Sequence, residues 1–268
     1  MSLMERSNRI IDGLIAGCRS HLTRDLFLSL ERLAVTLAET AAPIGALVGF
    51  LIGVVGAIKL DSFFIFVSGV VWLIVVAVSY YVGHSFIERC RRVIENSESE
   101  LSASEFLDVF ALLFGVGAAL ILGSGLFWAI EVSSFEPLKW TAPLALAALL
   151  YTTLLLNPSL ISTRISEGAT GGQDALAISL VLYKAGVRQA GIVFGLGTLS
   201  GSALLAYSLY NLFAVNGEYA LLGGFQSIAG VIVLLVALLF PFFIYLVFVF
   251  AYLVVDLCRA ILTLNKKT

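Results

Sequence analysis

The chain is poor in the residues that do chemistry. It has two histidines, His21 and His84, and three cysteines, Cys18, Cys90 and Cys258, among 268 residues. Three scattered cysteines do not make a disulfide scaffold, and no His-Glu-x-x-His zinc pattern occurs. The stretch GTLSG at 197–201 hints at a nucleophilic serine, Ser200, but no histidine follows it to act as a base. Cysteine and histidine are zinc-binding types, yet nothing in the local spacing pairs these five residues, and a free cysteine suits burial as a small apolar group. Charge is scarce as well: 13% of residues are charged, against about 25% in soluble domains. Essentially none of it falls in the middle of a long apolar run, which disfavours proton- or sodium-coupled transport, since that chemistry needs acids or bases at membrane depth. Asp108, Asp256, Glu131 and Glu136 all lie near the ends of such runs and read as interfacial anchors. The expectation is a protein that is not an enzyme, with no catalytic residue, no metal and no cofactor.

What is abundant is hydrocarbon. Apolar residues make up 60% of the chain and the mean hydropathy is +1.02. A helix needs about 20 mostly apolar residues to cross a bilayer, and six runs qualify: about 41–60, 62–83, 106–130, 138–156, 190–214 and 220–248. Breaks between them are marked by turn chemistry. Lys59–Asp61 forms a tight turn, Ser102 and Glu105 have capping-box spacing before the third run, and Pro137 suits the first turn of the fourth. Asn157–Pro158 ends that run, and Asn216–Gly217 is a turn dipeptide. The apolar residues 220–264 are long enough for two spans, but the turn needed near Pro241 has only the proline, with no Gly or Asn beside it, so one kinked helix through Pro241 is expected.

Of the 16 lysines and arginines, 14 fall on one side of this threading and only Lys59 and Lys139 on the other. Positive charge stays inside, which puts both termini in the cytoplasm and the protein in the plasma (inner) membrane. Residues 3–18 place Leu3, Met4, Ile10, Ile11, Leu14, Ile15 and Cys18 on one helical face, the pattern of an interfacial helix. The first 40 residues carry five arginines and no short apolar core before a small-residue site, so no cleavable signal peptide is expected. The fold expected is all-α: a polytopic membrane protein of six transmembrane helices with amphipathic, cytoplasmic helical extensions. Residues 1–40 form the N-terminal amphipathic region. Residues 41–264 form the bundle with a cytoplasmic collar at 84–105, 157–189 and 250–264, and residues 265–268 a short basic tail.

Three features remain as candidate sites. SEGATGGQDALA at 166–177 looks like a phosphate-cradling glycine loop, but Gln173 and Asp174 stand where the Walker pattern needs Lys and Ser or Thr. A carboxylate there repels phosphate and stabilises the helix start, so this is a hinge opening a helix. Small residues recur every four positions at Ala41, Gly45, Gly49, Gly53 and Ala57, and again at Gly191–Gly195 and Gly197–Gly201. Such ladders let helices approach closely in lipid, within one subunit or between subunits. Arg89, Arg91 and Arg92 are followed by Glu95, Glu98 and Glu100, a basic-then-acidic segment suited to anionic lipid or a partner. The fifth run carries Thr198, Ser200, Ser202, Tyr207, Ser208, Tyr210 and Asn211, which could line a neutral pathway or bond to helix carbonyls. The function expected is an oligomeric scaffold or assembly subunit, in contact with membrane lipids and as a homo-oligomer or part of a membrane complex, without nucleic acid. The alternative is a passive channel or uncoupled permease lined by the fifth run.

Overall fold

The computed structural model describes residues 13–97, 99–102, 104–165, 171–214 and 218–265. It is all-α and 90% helical. A helix through residues 13–21 (α1) is followed by α2 (Arg24–Leu60), α3 (Phe63–Asn96), α4 (Glu105–Glu131), α5 (Leu138–Leu156), α6 (Gly171–Arg188), α7 (Ala190–Ala214) and α8 (Glu218–Asn265). Six helical stretches are long and apolar enough to cross a membrane: Arg24–Leu60, Phe63–Asn96, Glu105–Glu131, Leu138–Leu156, Asp174–Phe213 and Gln226–Ala260. At 1.5 Å per residue, the 19 residues of α5 extend about 28 Å, close to a hydrocarbon thickness of about 30 Å. The 37 residues of α2 and the 34 of α3 extend about 55 and 51 Å, so each outruns its apolar stretch. Helix α8 is continuous through Pro241.

Among the described residues the breaks fall where turn chemistry places them, with one exception. Asp61, between α2 and α3, takes a left-handed backbone with φ 47°, a conformation that aspartate tolerates better than most residues. Helix α5 starts directly after Pro137 and ends before Asn157, where a 3-10 turn (Pro158–Ile161) takes over. The exception is the capping box. Helix α4 begins at Glu105 after Ser104, which makes no side-chain cap bond. Ser102 instead turns to Asp174, giving that carboxylate both its amide hydrogen (2.8 Å) and its hydroxyl hydrogen. An ionised acceptor makes a stronger bond than a neutral partner and wins the competition.

Helical periodicity also misses two three-residue strands, β1 (Ser99–Leu101) and β2 (Thr163–Ile165), which pair in parallel. Parallel strands need a long crossover, and here α4 and α5 supply it.

The chain divides into two compact units: Met1–Leu28, Ile94–Gly186 and Ala251–Thr268 form one, Ser29–Val93 and Val187–Phe250 the other. In the first, α4 and α5 pack as an antiparallel hairpin. Gly125 lies against Thr141 and Gly115 against Thr152, so numbers rise on one helix as they fall on the other. The second unit has a core of Ala38, Ala42, Val48, Val76, Ile87, Phe194, Leu205, Leu234 and Leu238. Large apolar side chains stand exposed on the long helices, among them Ile74, Leu120, Val236 and Phe250. A soluble protein rarely presents so much contiguous hydrocarbon to water.

Candidate functional site

The glycines of α2 and α7 sit where neighbouring helices touch inside the second unit. A Cβ at Gly45 would strike the Ser202 hydroxyl, and one at Gly49 the Trp72 ring. At Gly53 it would stand 2.7 Å from the Gly69 Cα. On α7, Gly195 lies against the Ala34 backbone, Gly197 would meet the Ala237 Cβ at 2.6 Å, and Gly201 the Leu234 nitrogen at 2.6 Å. Gly191 faces Glu31, whose Cγ would be 3.1 Å from an added Cβ. At Gly53, Gly195 and Gly201 the atoms opposite are backbone, so a side chain there requires the neighbouring helix to move; at Gly45, Gly49, Gly191 and Gly197 they are side-chain atoms that must give way.

The polar residues of α7 begin among these glycines, at Thr198 and Ser200, and continue beyond Gly201 to Asn211. Thr198 is fully buried and donates to the Phe194 carbonyl, and Ser202 donates to the Ala41 carbonyl at 2.8 Å. The Ser200 hydroxyl donates to Leu196. Ser208 and Ser227 share a hydrogen bond, and Asn211 donates to the Gln226 side-chain oxygen at 2.7 Å. Trp72 donates to the Gly45 carbonyl. The buried Thr198, Ser202 and Ser208 thus each have a protein partner, which is what burial of a polar group demands, while Ser200, Tyr207 and Tyr210 are exposed.

Sequence reasoning missed the charges inside the protein. Glu31 is buried, and its Oε1 accepts from Arg188 Nη1 at 2.6 Å and from Arg91 Nη2 at 3.4 Å. Both Glu31 and Arg188 have side chains under a tenth exposed, whereas Arg91 is 44% exposed and also reaches Glu88 at 3.4 Å. Gly191 leaves the space that the Glu31 carboxylate occupies beside the start of α7, where the helix dipole favours an anion. In the first unit Lys184 is fully buried and donates to Ser99 Oγ at 3.1 Å and to the Ser162 carbonyl at 3.2 Å. Ser99 Oγ in turn lies 2.9 Å from Thr163 Oγ1, across the β1–β2 pair. Ser162, which presents that carbonyl, has a left-handed backbone with φ 48°.

A signal for these residues exists in the sequence. On α2, Phe27, Glu31, Ala34, Ala38 and Ala41 follow the three- and four-residue spacing of one buried face. On α6 the same spacing runs through Ala177, Leu180, Val181, Lys184, Ala185 and Arg188. A charge standing on an apolar stripe is a charge that must be paired inside.

The remaining sequence candidates are distributed as follows. The Arg89 guanidinium lies over the Phe86 ring at 4.7 Å, and Arg92 Nε bonds Glu88 at 3.2 Å. Glu95 and Glu100 are exposed, and Glu98 lies outside the described residues. Residues 166–170 of the glycine-rich stretch and the turn at Asn216–Gly217 also lie outside them; Asp174, in the first turn of α6, holds Ser102. Cys90 is buried with its thiol on the Pro241 carbonyl, Cys18 is exposed, and His84 stacks on Tyr80. Among the described residues, no three His, Cys, Asp or Glu side chains converge as a metal site.

These elements define a class: an all-α protein with six helices long and apolar enough to cross a membrane and a buried ion pair in one of its units. No family model, curated protein or solved structure matches the chain.

Proposed function

We propose that the chain is a non-enzymatic, multi-pass protein of the plasma (inner) membrane, with both termini in the cytoplasm, acting as an oligomeric scaffold or assembly subunit. The observation that carries this reading over a conducting one is the condition of α7. Its buried hydroxyls, Thr198 and Ser202, donate to helix carbonyls instead of facing an aqueous lumen, and Asn211 is bonded to Gln226. A pathway for neutral solutes needs such groups turned toward water. The seven glycines are already engaged by helices of their own unit, which leaves association to other surfaces. Arg89, Arg92, Glu95 and Glu100 are each exposed, and this basic-then-acidic stretch of sequence is where a lipid or protein partner is expected to bear. The 14-to-2 division of basic residues supports the sidedness.

The test reconstitutes the purified protein in liposomes and measures its mass in detergent. The scaffold reading expects solute release no faster than from protein-free liposomes and a complex larger than one chain. Charge reversal of Glu95, Glu98 and Glu100 to lysine is expected to reduce that complex while leaving the melting temperature unchanged. Release of small neutral solutes by a monomeric protein would return the function to a passive channel.

A further inference from the structure

A cavity of about 190 Å³ lies in the unit that contains α1, α4 and α5. Its floor runs along α4 from Ala111 to Ala119, about 12 Å at 1.5 Å per residue. Leu14 and Cys18 of α1 form one wall and Thr152 of α5 belongs to the other. Thr152 carries a hydroxyl into this lining, but the hydroxyl donates to the Ala148 carbonyl at 3.0 Å and lies 3.3 Å from the Ala111 carbonyl. An ordered water needs two to four polar partners, which this lining lacks, so the open, apolar cavity favours an apolar guest. At Gly115, in this lining, a Cβ would stand 3.6 Å from Thr152, an ordinary contact, so a side chain can be added there.

One end of this cavity is ionic. Asp108 lies one turn before Ala111 on α4 and accepts from Arg19 Nη2 at 2.7 Å, and Arg19 directly follows Cys18 on α1. The Arg19 side chain is 52% exposed. A guanidinium has five N–H donors in a planar fork that matches phosphate oxygens, and the bond to Asp108 uses one of them. The Asp108 carboxylate offsets the charge of Arg19, so the preference for an anion over a zwitterion is expected to be small, about fivefold, while the apolar walls supply most of the binding.

Hydrocarbon walls two helical turns long, ending at an exposed guanidinium, match an amphiphile with an alkyl tail and a phosphate head. We propose that this cavity binds one acyl chain of an anionic membrane phospholipid, with the phosphate against Arg19. The proposal uses none of the residues from Arg89 to Glu100 and does not depend on the scaffold reading.

Cys18, in the wall and exposed, reports occupancy directly. The full-length protein in mild detergent is titrated with dioleoylphosphatidylglycerol, with dioleoylphosphatidylcholine, or with short-chain dihexanoylphosphatidylglycerol. Alkylation of Cys18 is followed by peptide mass, which separates it from Cys90 and Cys258. Dioleoylphosphatidylglycerol is expected to slow Cys18 alkylation at least tenfold, saturating at one lipid per chain, and the short-chain lipid is expected to have no effect. Ala119→Trp fills the cavity from an exposed position and is expected to abolish the lipid dependence at unchanged melting temperature. Gly115→Leu provides a second filling variant should the first fail to fold. Arg19→Gln is expected to keep the protection but erase the preference for phosphatidylglycerol over phosphatidylcholine. Alkylation rates that ignore the long-chain lipid, or that respond equally in both filling variants, overturn the proposal; a preference that survives Arg19→Gln overturns the headgroup contact.

Discussion

Glu31 is the residue on which the second unit's electrostatics turn. Its carboxylate is shared between a buried arginine and a half-exposed one, and the two contacts differ in worth. Removing one partner of a buried pair strands a desolvated charge, at a cost of about 3–5 kcal/mol. An exposed pair contributes about 0–1 kcal/mol. Glu31→Gln and Arg188→Met are therefore each expected to lower unfolding stability in detergent by about 3–5 kcal/mol, and Arg91→Ala by no more than about 1 kcal/mol. The double variant Glu31→Gln/Arg188→Met should fall short of the summed losses by about 0.5–3 kcal/mol, the coupling of residues in contact. Strict additivity in a denaturant series would show that the pair does not act as a unit. The same comparison alters the weight of the charge count. Lys184 and Arg188 count among the basic residues that mark the cytoplasmic side, yet both are buried and bonded within the protein.

At the scale of the elements, close approach decides which glycines matter. Gly195 lies against the Ala34 carbonyl, a backbone atom that cannot swing aside, whereas a Cβ at Gly117 meets nothing within 4 Å. Gly195→Leu is expected to cost at least about 3 kcal/mol, the upper range of overpacking, and Gly117→Leu to leave the melting temperature within a degree or two of wild type. Equal melting of the two variants would refute close packing of α7 on α2. The elements themselves were largely legible in the sequence: apolar run length located the six helices long enough to cross a membrane, and proline, asparagine and aspartate located ends among them. Continuity of α8 through Pro241 followed from the lack of a second breaker beside it. Charged flanks hid the true lengths of α2 and α3, because a hydropathy reading stops where a helix continues past the apolar layer. The strands were illegible for a different reason. Three residues are too few to show a two-residue period, and what holds Ser99 beside Thr163 is a register set 64 residues away together with Lys184. Ser102 shows the same limit: its local spacing favours a cap, and a distant carboxylate overrides it.

At the scale of the whole molecule, sidedness is the property to measure. Cys90, in the segment expected to be cytoplasmic, is a poor reporter because it is buried against Pro241. Exposed positions serve better. A cysteine at Glu136, in the link between α4 and α5, is expected to react with a membrane-impermeant maleimide in intact cells, and one at Glu95, near the end of α3, only after permeabilisation. Labelling of the Glu95 cysteine in intact cells would invert the topology and with it the placement of the partner surface. The 14-to-2 split of basic charge sets this expectation.

The parallel pairing of β1 with β2 also sets a schedule for biosynthesis. Ser99 leaves the ribosome 64 residues before its partner Thr163, and at about 5–20 residues per second that is a delay of about 3–13 s. During that interval β1 has no mate, and the two helices that bring its mate back must both be synthesised and paired. Lys184 follows Thr163 by a further 21 residues, so the ammonium group that fastens Ser99 to Ser162 is the last part to arrive. A nascent chain arrested between residues 165 and 184 should therefore hold an unlatched ribbon, open to protease at 99–101, while a chain released after Arg188 should be resistant there. The ribbon works as a completion mark, closing only once the α4–α5 hairpin behind it has been built.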